Sequence, residues 1–161
     1  MELALRKIEP NDLPLLYLWE NDDTAWPDGA VHNPLSQKDL RDYIMASTGN
    51  IYQDGQLRLV VMKGESAVGC VDLYDFDARN RRAAVGIYIA PAFRRKGYGE
   101  QAIKLLTAYA KRHLNMRLLY AYVQCTNLAS TNLFHKQFTP SNAIPAWTLE
   151  GDAFLFYCPV S

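Results

Sequence analysis

The 161-residue chain has no excess charge of either sign, because 17 basic and 17 acidic side chains cancel. No global field therefore draws it toward nucleic acid or an anionic membrane, and any anion it binds must be held by a local site. Cysteine is scarce. Cys70, Cys125 and Cys158 are odd in number, far apart and in no metal-ligand spacing, which argues against a disulfide framework and against a metal centre. Long apolar runs are missing, so no segment reaches transmembrane length. The opening residues, MELALRKIEP, mix acid and base without an apolar leader core, and a reduced, cytoplasmic protein is the simple expectation. Repeats, low-complexity tracts and linkers are also absent, so residues 1–161 read as one domain, large enough to bury a core unaided.

Periodicity and turn residues supply the rest. Alternation around Leu3 and Leu5 predicts a short strand before Pro10. Asn11 is placed to cap a helix with Leu13, Leu16 and Tyr17 on one face; it runs out in the polar loop 20–34, which carries Trp26 and His32. Ser36 and Asp39 form a capping box for a helix striped by Leu40, Tyr43 and Ile44. Residues 56–77 read as two strands joined at Lys63-Gly64-Glu65-Ser66, and 81–91 as a strand ended by Pro91. Ala102, Leu105, Leu106, Tyr109 and His113 repeat at helical spacing over 99–114, before a strand at 117–124. A short helix over 127–138, capped by Asn127, is expected to bury Ala129, Leu133 and Phe138. A hairpin over 146–160 turns near Glu150 and Gly151. The order β-α-α-β-β-β-α-β-α-β-β predicts a mixed α/β sheet with helices on its faces, and the crossover from 81–91 to 117–124 predicts one parallel pair.

One stretch carries chemistry. Arg94, Arg95 and Lys96 stand directly before Gly97 and Gly99 at the mouth of the helix beginning at 99. The first amides of a helix have no intrahelical partner, and the macrodipole favours an anion there. Glycines let a phosphate approach the backbone, and guanidinium groups can grip its oxygens in pairs. Cations beside glycines are also common in plain solvated turns, so the motif alone leaves both readings open. The Walker pattern fails because Tyr98 and Gly99 follow Lys96-Gly97, and the dinucleotide fingerprint fails for want of a third glycine.

The run Arg94-Arg95-Lys96-Gly97-Tyr98-Gly99 resembles the Arg/Gln-x-x-Gly-x-Gly/Ala signature of the GNAT superfamily of acyl-CoA-dependent N-acyltransferases. Residues 66–138 resemble its third strand through its later helix. Within them Asn127, Ser130, Leu133 and Phe134 fall on the Asn-x-x-Ser/Ala-x-x-Leu-Tyr pattern. The resemblance, in the branch of spermidine and ribosomal-protein acetyltransferases, implies a mostly antiparallel sheet with a splayed parallel pair and helices on both faces. It implies acetyl-CoA as cosubstrate and no metal. By position, backbone amides from Arg95 through Lys96, Gly97, Tyr98 and Gly99 to Glu100 hold the CoA diphosphate. Backbone groups of Ile87, Tyr88 and Ile89 pair with the pantetheine arm, and Asn127, Ser130 and Phe134 line the other side. An amine then attacks the acetyl thioester directly; the acceptor is a small-molecule or peptide amine.

Three positions depart from that pattern. The helix tyrosine that protonates the leaving thiolate falls on Phe134, the early strand carboxylate on Ala84, and the glycine before the last aromatic on Gln137. No catalytic residue is therefore assigned, and a CoA-binding module without turnover stands as the alternative. Trp26, Asp72 and Tyr74 are candidate acceptor contacts. Asp75, Asp77, Asp22, Asp23 and Asp28 extend an acidic mouth that solvated turn carboxylates explain equally well, with Asp75–Arg82 as an expected salt bridge. His113 is expected half-buried, and Cys125 is a small core cysteine before it is a nucleophile. The basic tip Arg79, Arg81 and Arg82 lacks base-stacking aromatics, so no nucleic-acid partner is expected. Oligomeric state is left open, although the exposed terminal hairpin could pair with a second copy as a homodimer.

Overall fold

A computed structural model describes residues 2–25, 35–149 and 151–160. Seven strands form one sheet in the order β1-β2-β3-β4-β5-β7-β6. These are β1 (Leu3–Lys7), β2 (Leu57–Lys63), β3 (Ser66–Asp77), β4 (Arg82–Ile89), β5 (Leu118–Gln124), β6 (Thr139–Thr148) and β7 (Gly151–Pro159). The helices are α1 (Leu13–Glu20), α2 (Gln37–Ala46), the single turn α3 (Ile51–Asp54), α4 (Tyr98–Leu114) and α5 (Leu128–His135). Every pair of neighbouring strands is antiparallel except β4 and β5.

The parallel pair is short. Arg82, Ala83 and Ala84 align with Leu118, Leu119 and Tyr120, and pairing stops there although both strands continue. Antiparallel register places Ala84, Gly86 and Tyr88 on one face with Cys70, Asp72 and Tyr74. Ala83, Val85 and Ile87 face the other way. Against that second face α4 buries Ala102, Ile103, Leu106, Ala110 and Leu114, packed with Leu59, Val71, Leu73 and Leu119. Each fully buried Leu or Ile side chain is worth about 1.5–3 kcal/mol. A smaller cluster on the first face joins Leu16 and Trp19 of α1 and Leu40 and Ile44 of α2 to Val60 and Cys70.

Several local expectations change. Asn11 is not the cap of α1. Residues 10–12 form a 3-10 turn, and the Asp12 carboxylate instead accepts the Glu9 amide at 2.8 Å and both Arg6 guanidinium nitrogens at 2.8 Å. Trp19, not Tyr17, completes the buried face of α1. His113 is exposed, because the buried stripe of α4 runs through Ala110 and Leu114. Ala129 is exposed, and Thr131 and Phe134 take the inner face of α5. Arg82 pairs with Asp77 at 3.5 Å rather than with Asp75, and Arg81 donates to Asn115. The Ser36–Asp39 capping box and the Asn127 cap form as expected.

The terminal hairpin is longer than expected, because β6 begins at Thr139. Its free edge carries Pro140 and Pro145, and its register slips twice against β7. Prolines and irregular register are the devices that blunt an edge against pairing with another chain. A second copy pairing through this hairpin would have to form against that edge.

Candidate active site

Two clefts meet where the sheet opens. The first, about 570 Å³, lies between the start of α4, the end of β4 and α5. The second, about 500 Å³, lies on the α1 side, over Gly86 and between Trp19, Arg58, Asp72, Tyr74 and Tyr122. Ile87, Tyr88, Asn127 and Ser130 line both, so the two chambers communicate at the break between β4 and β5.

The first cleft is built from local backbone geometry. Arg95 and Gly97 both adopt the left-handed region, with φ of 62° and 80°. Alternating conformations of this kind turn successive amides toward one point and form an anion-binding concavity. Gly97 caps α4 without a side-chain bond, and the first helical bond is donated by Gln101 to Gly97. The amides of Tyr98, Gly99 and Glu100 therefore point out of the helix end. Nothing lies within 4 Å of where a Cβ on Gly97 would sit, so its role is conformational. Gly99 serves packing: both Leu133 methyl groups come within 3.4 Å of where its Cβ would be, drawing α5 against α4.

Glu100 places a carboxylate beside this anion cradle, but Lys136 at 3.1 Å and Lys104 at 3.5 Å neutralise it. The hydrogen bond from Lys136 leads the causes that hold its carboxyl below the usual range. Gln137, at the position where the signature has glycine, donates from Nε2 to the Glu100 carbonyl at 3.0 Å and ties the end of α5 to the first turn of α4.

Register sorts the strand residues. Ala90 donates its amide to Val68, and bonded positions recur every second residue in an antiparallel pair. Tyr88 and Gly86 therefore direct their backbone groups to β3, while Ile87 and Ile89 aim theirs at the open gap. The Ile89 carbonyl already accepts from Arg94 Nε at 2.7 Å. Of the residues expected at the cofactor, all but Lys96 and Phe134 line the first cleft. Lys96 is exposed outside it, and Phe134 lines the second.

Arg94 is committed elsewhere than to the cradle. Its guanidinium donates to Thr24 Oγ1 at 2.9 Å and Asp22 Oδ2 at 3.3 Å and lies 5.6 Å from the Tyr88 ring centre. Tyr88 donates its hydroxyl to the same Asp22 oxygen at 2.5 Å. Burial and the Asp22 carboxylate push the Tyr88 phenol well above its ordinary value, so it stays protonated. Burial opposes ionisation of Asp22, yet bonds from Thr24 and Tyr88 and the Arg94 charge hold it below the usual range.

In the second cleft the single Arg58 charge offsets one of the two acidic charges of Asp72 and Glu20. Arg58 bonds Asp72 through Nε at 2.7 Å and its terminal nitrogen at 3.0 Å, and Glu20 at 2.7 Å. Burial works to lower the Arg58 pKa, but the Asp72 charge and the hydrogen bonds to Asp72 and Glu20 together raise it further. Burial pushes the Cys70 thiol up to about 12, so it is no nucleophile. Asp72 and Tyr74 line this cleft as expected, whereas Trp26, Asp28 and His32 lie outside the described residues. Sequence reasoning missed Trp19, Glu20 and Arg58. Arg58 had a signal, a lone charge inside the apolar strand Leu57–Lys63 on the face shared with Asp72. Phe134, only 4 % exposed, packs its ring on Phe138 and Phe156, and Ala84 is fully buried. No group of three or more metal-ligating side chains occurs among the described residues, and no helix there is long and apolar enough to cross a membrane.

An anion cradle joined to a second chamber through a break in a mixed sheet is an arrangement suited to group transfer between a phosphorylated carrier and an acceptor. The acetyltransferase (GNAT) domain family matches residues 2–137, and the chain belongs to that family. It is an acetyl-CoA-dependent N-acetyltransferase. It is 27% identical over 137 residues to spermidine N(1)-acetyltransferase of Escherichia coli (strain K12), spanning 83% of this chain and 70% of that one. The spermidine N-acetyltransferase of Vibrio cholerae, solved with CoA and spermine, superposes with a TM-score of 0.85 at 21% identity, over 99% of this chain and 96% of that one. RimL, a ribosomal alpha-N-protein acetyltransferase solved with coenzyme A, gives 0.86 at 16%, over 99% and 95%.

Proposed function

We propose that this chain binds acetyl-CoA in the first cleft and transfers the acetyl group directly to a primary amine in the second. The observation that carries the reading is the communication of the two clefts where β4–β5 pairing ends after Ala84 and Tyr120. The free amides of Tyr98, Gly99 and Glu100, with the left-handed turn at Arg95 and Gly97, suit the diphosphate. Backbone groups of Ile87 and the Ile89 amide suit the pantetheine arm, as an added strand would. The amine reaches the thioester past Tyr88, and a gap-facing amide of Ile87 or Ile89 is placed to stabilise the developing oxyanion. The acceptor is an amine of a small molecule or peptide, in keeping with the polyamine and ribosomal-protein enzymes it resembles. Three unpaired cysteines suit a cytoplasmic setting.

Phe134 and Ala84 can supply no proton at the positions where the family pattern places one, so the acid stands elsewhere or is dispensed with. The test has two arms. Calorimetry with acetyl-CoA is expected to show binding that Gly97→Pro abolishes, since proline cannot adopt a φ of 80°. Phe134→Tyr is expected to raise turnover of an amine panel about 10²–10⁴-fold, the range of a positioned acid. Binding without turnover before and after that substitution would overturn the transfer reading.

A further inference from the structure

We infer that Arg94, the first residue of the glycine-rich signature, is a positioning residue that fixes residues 22–25 against the end of β4, where both clefts meet, and not a ligand of the diphosphate. The inference rests on the two-cleft reading above. It begins from the guanidinium itself, whose five donors form a rigid fork that satisfies several acceptors at fixed angles. All three of its nitrogens are engaged: Nε by the Ile89 carbonyl at the end of β4, and the terminal two by Thr24 and Asp22 at the root of the loop after α1.

Asp22 is the hub of this arrangement. One of its oxygens accepts the Thr24 amide at 3.0 Å and the Thr24 hydroxyl at 2.6 Å; the other accepts Tyr88 and Arg94. Its side chain is 12% exposed, so the ion pair is screened less than a surface pair. Tyr88 is tilted against Trp19 at 5.6 Å, which carries the same contact back into α1. Two elements 66 to 72 residues apart in sequence are thus fixed to each other, and one of them is the strand end that borders both clefts.

The consequence is a division of labour inside one short motif. The cradle is made by backbone at Arg95, Gly97 and the helix start, where side-chain identity matters little beyond charge. Arg94 instead sets where residues 22–25 stand, and with them Ala25, which lines both clefts. Arg94 also engages the Ile89 carbonyl, one of the backbone groups that face the gap.

The experiment compares the native protein with Arg94→Ala, Arg94→Lys and Asp22→Asn. Three quantities are read: acetyl-CoA affinity by calorimetry, kinetics with spermidine as the probe amine, and amide exchange over residues 22–25. Arg94→Ala is expected to change the acetyl-CoA Kd by no more than about threefold while raising spermidine KM about tenfold or more, the cost of freeing a loop held by charged hydrogen bonds. Exchange over 22–25 is expected to quicken about tenfold in both Arg94→Ala and Asp22→Asn. Arg94→Lys, which keeps the charge but not the fork, is expected to behave like Ala.

A drop in acetyl-CoA affinity of tenfold or more with unchanged exchange would overturn the inference and return Arg94 to the diphosphate; so would full rescue by Lys. If spermidine is not turned over, calorimetry and exchange decide alone. Failure of the native protein to bind acetyl-CoA condemns the two-cleft reading, and the exchange comparison still reports whether Arg94 holds the loop.

Discussion

Arg95 shows how one residue can be set against its own conformational preference. Its φ of 62° lies in a region that costs a residue with a side chain about 1–2 kcal/mol, and the turn requires that value for its amides to converge. Arg95→Gly is expected to stabilise the fold by about 0.5–1 kcal/mol, since glycine adopts this region without penalty. The same change is expected to weaken acetyl-CoA binding by removing a cation from the rim. Urea melts set beside calorimetry check both signs, and a variant that loses stability would show that the Arg95 side chain does more than add charge.

At the scale of elements, β1 is fastened to α1 through Asp12, which is 5% exposed. The hydrogen bond from Arg6 is the largest cause lowering its pKa below the ordinary 3.8. A depressed carboxyl contributes stability that is complete above the unfolded value and is lost as pH falls through the folded one. The contribution of this pair should therefore be intact at pH 5 and above and fade below about pH 3.8. Asp12→Ala is expected to cost about 2 kcal/mol at pH 7, because Arg6 keeps some solvent access, and less near pH 2. Denaturant melts at the two pH values give the comparison.

Elements also show where sequence reading reaches. The Ser36–Asp39 box, the Asn127 cap and the turn into α4 are contacts between residues a few positions apart, and all were legible. The chain around Asn11 misled because Asp12, sharing the same polar cluster, found Arg6 across the turn and took over the local amides. Glu20, Arg58 and Asp72 come together from α1, β2 and β3, and Asp22 meets Arg94 across 72 residues. Nothing local announces such pairs. Strand parity was invisible for the same reason: that Ile87 and Ile89, but not Tyr88, turn their backbone toward the gap depends on the register with β3.

For the whole molecule, the charge pattern of the second cleft bears on rate. Asp72 and Glu20 are both locked on Arg58, and the Tyr88 phenol stays protonated, so these three offer no strong base near neutrality. An alkylamine acceptor with a pKa of about 10.4 must then arrive already neutral. The expected outcome is a kcat/KM that climbs about tenfold per pH unit between roughly pH 6 and 9. A plateau near pH 7 in initial rates at constant ionic strength would reveal a base outside these residues.

The three-residue contact between β4 and β5 has a thermodynamic side. A sheet that stops pairing early keeps donors and acceptors in reserve, and whatever fills them becomes part of the fold. Ligand at a hundred times its Kd adds about 2.7 kcal/mol of stability, which for a chain of this size raises the Tm by roughly 5–11 °C in a melting scan. Free CoA, the product, has the same diphosphate and arm as acetyl-CoA and should give nearly the same rise. Substrate and spent carrier then compete on almost equal terms. The enzyme's turnover should follow the ratio of acetyl-CoA to CoA, not the concentration of either one.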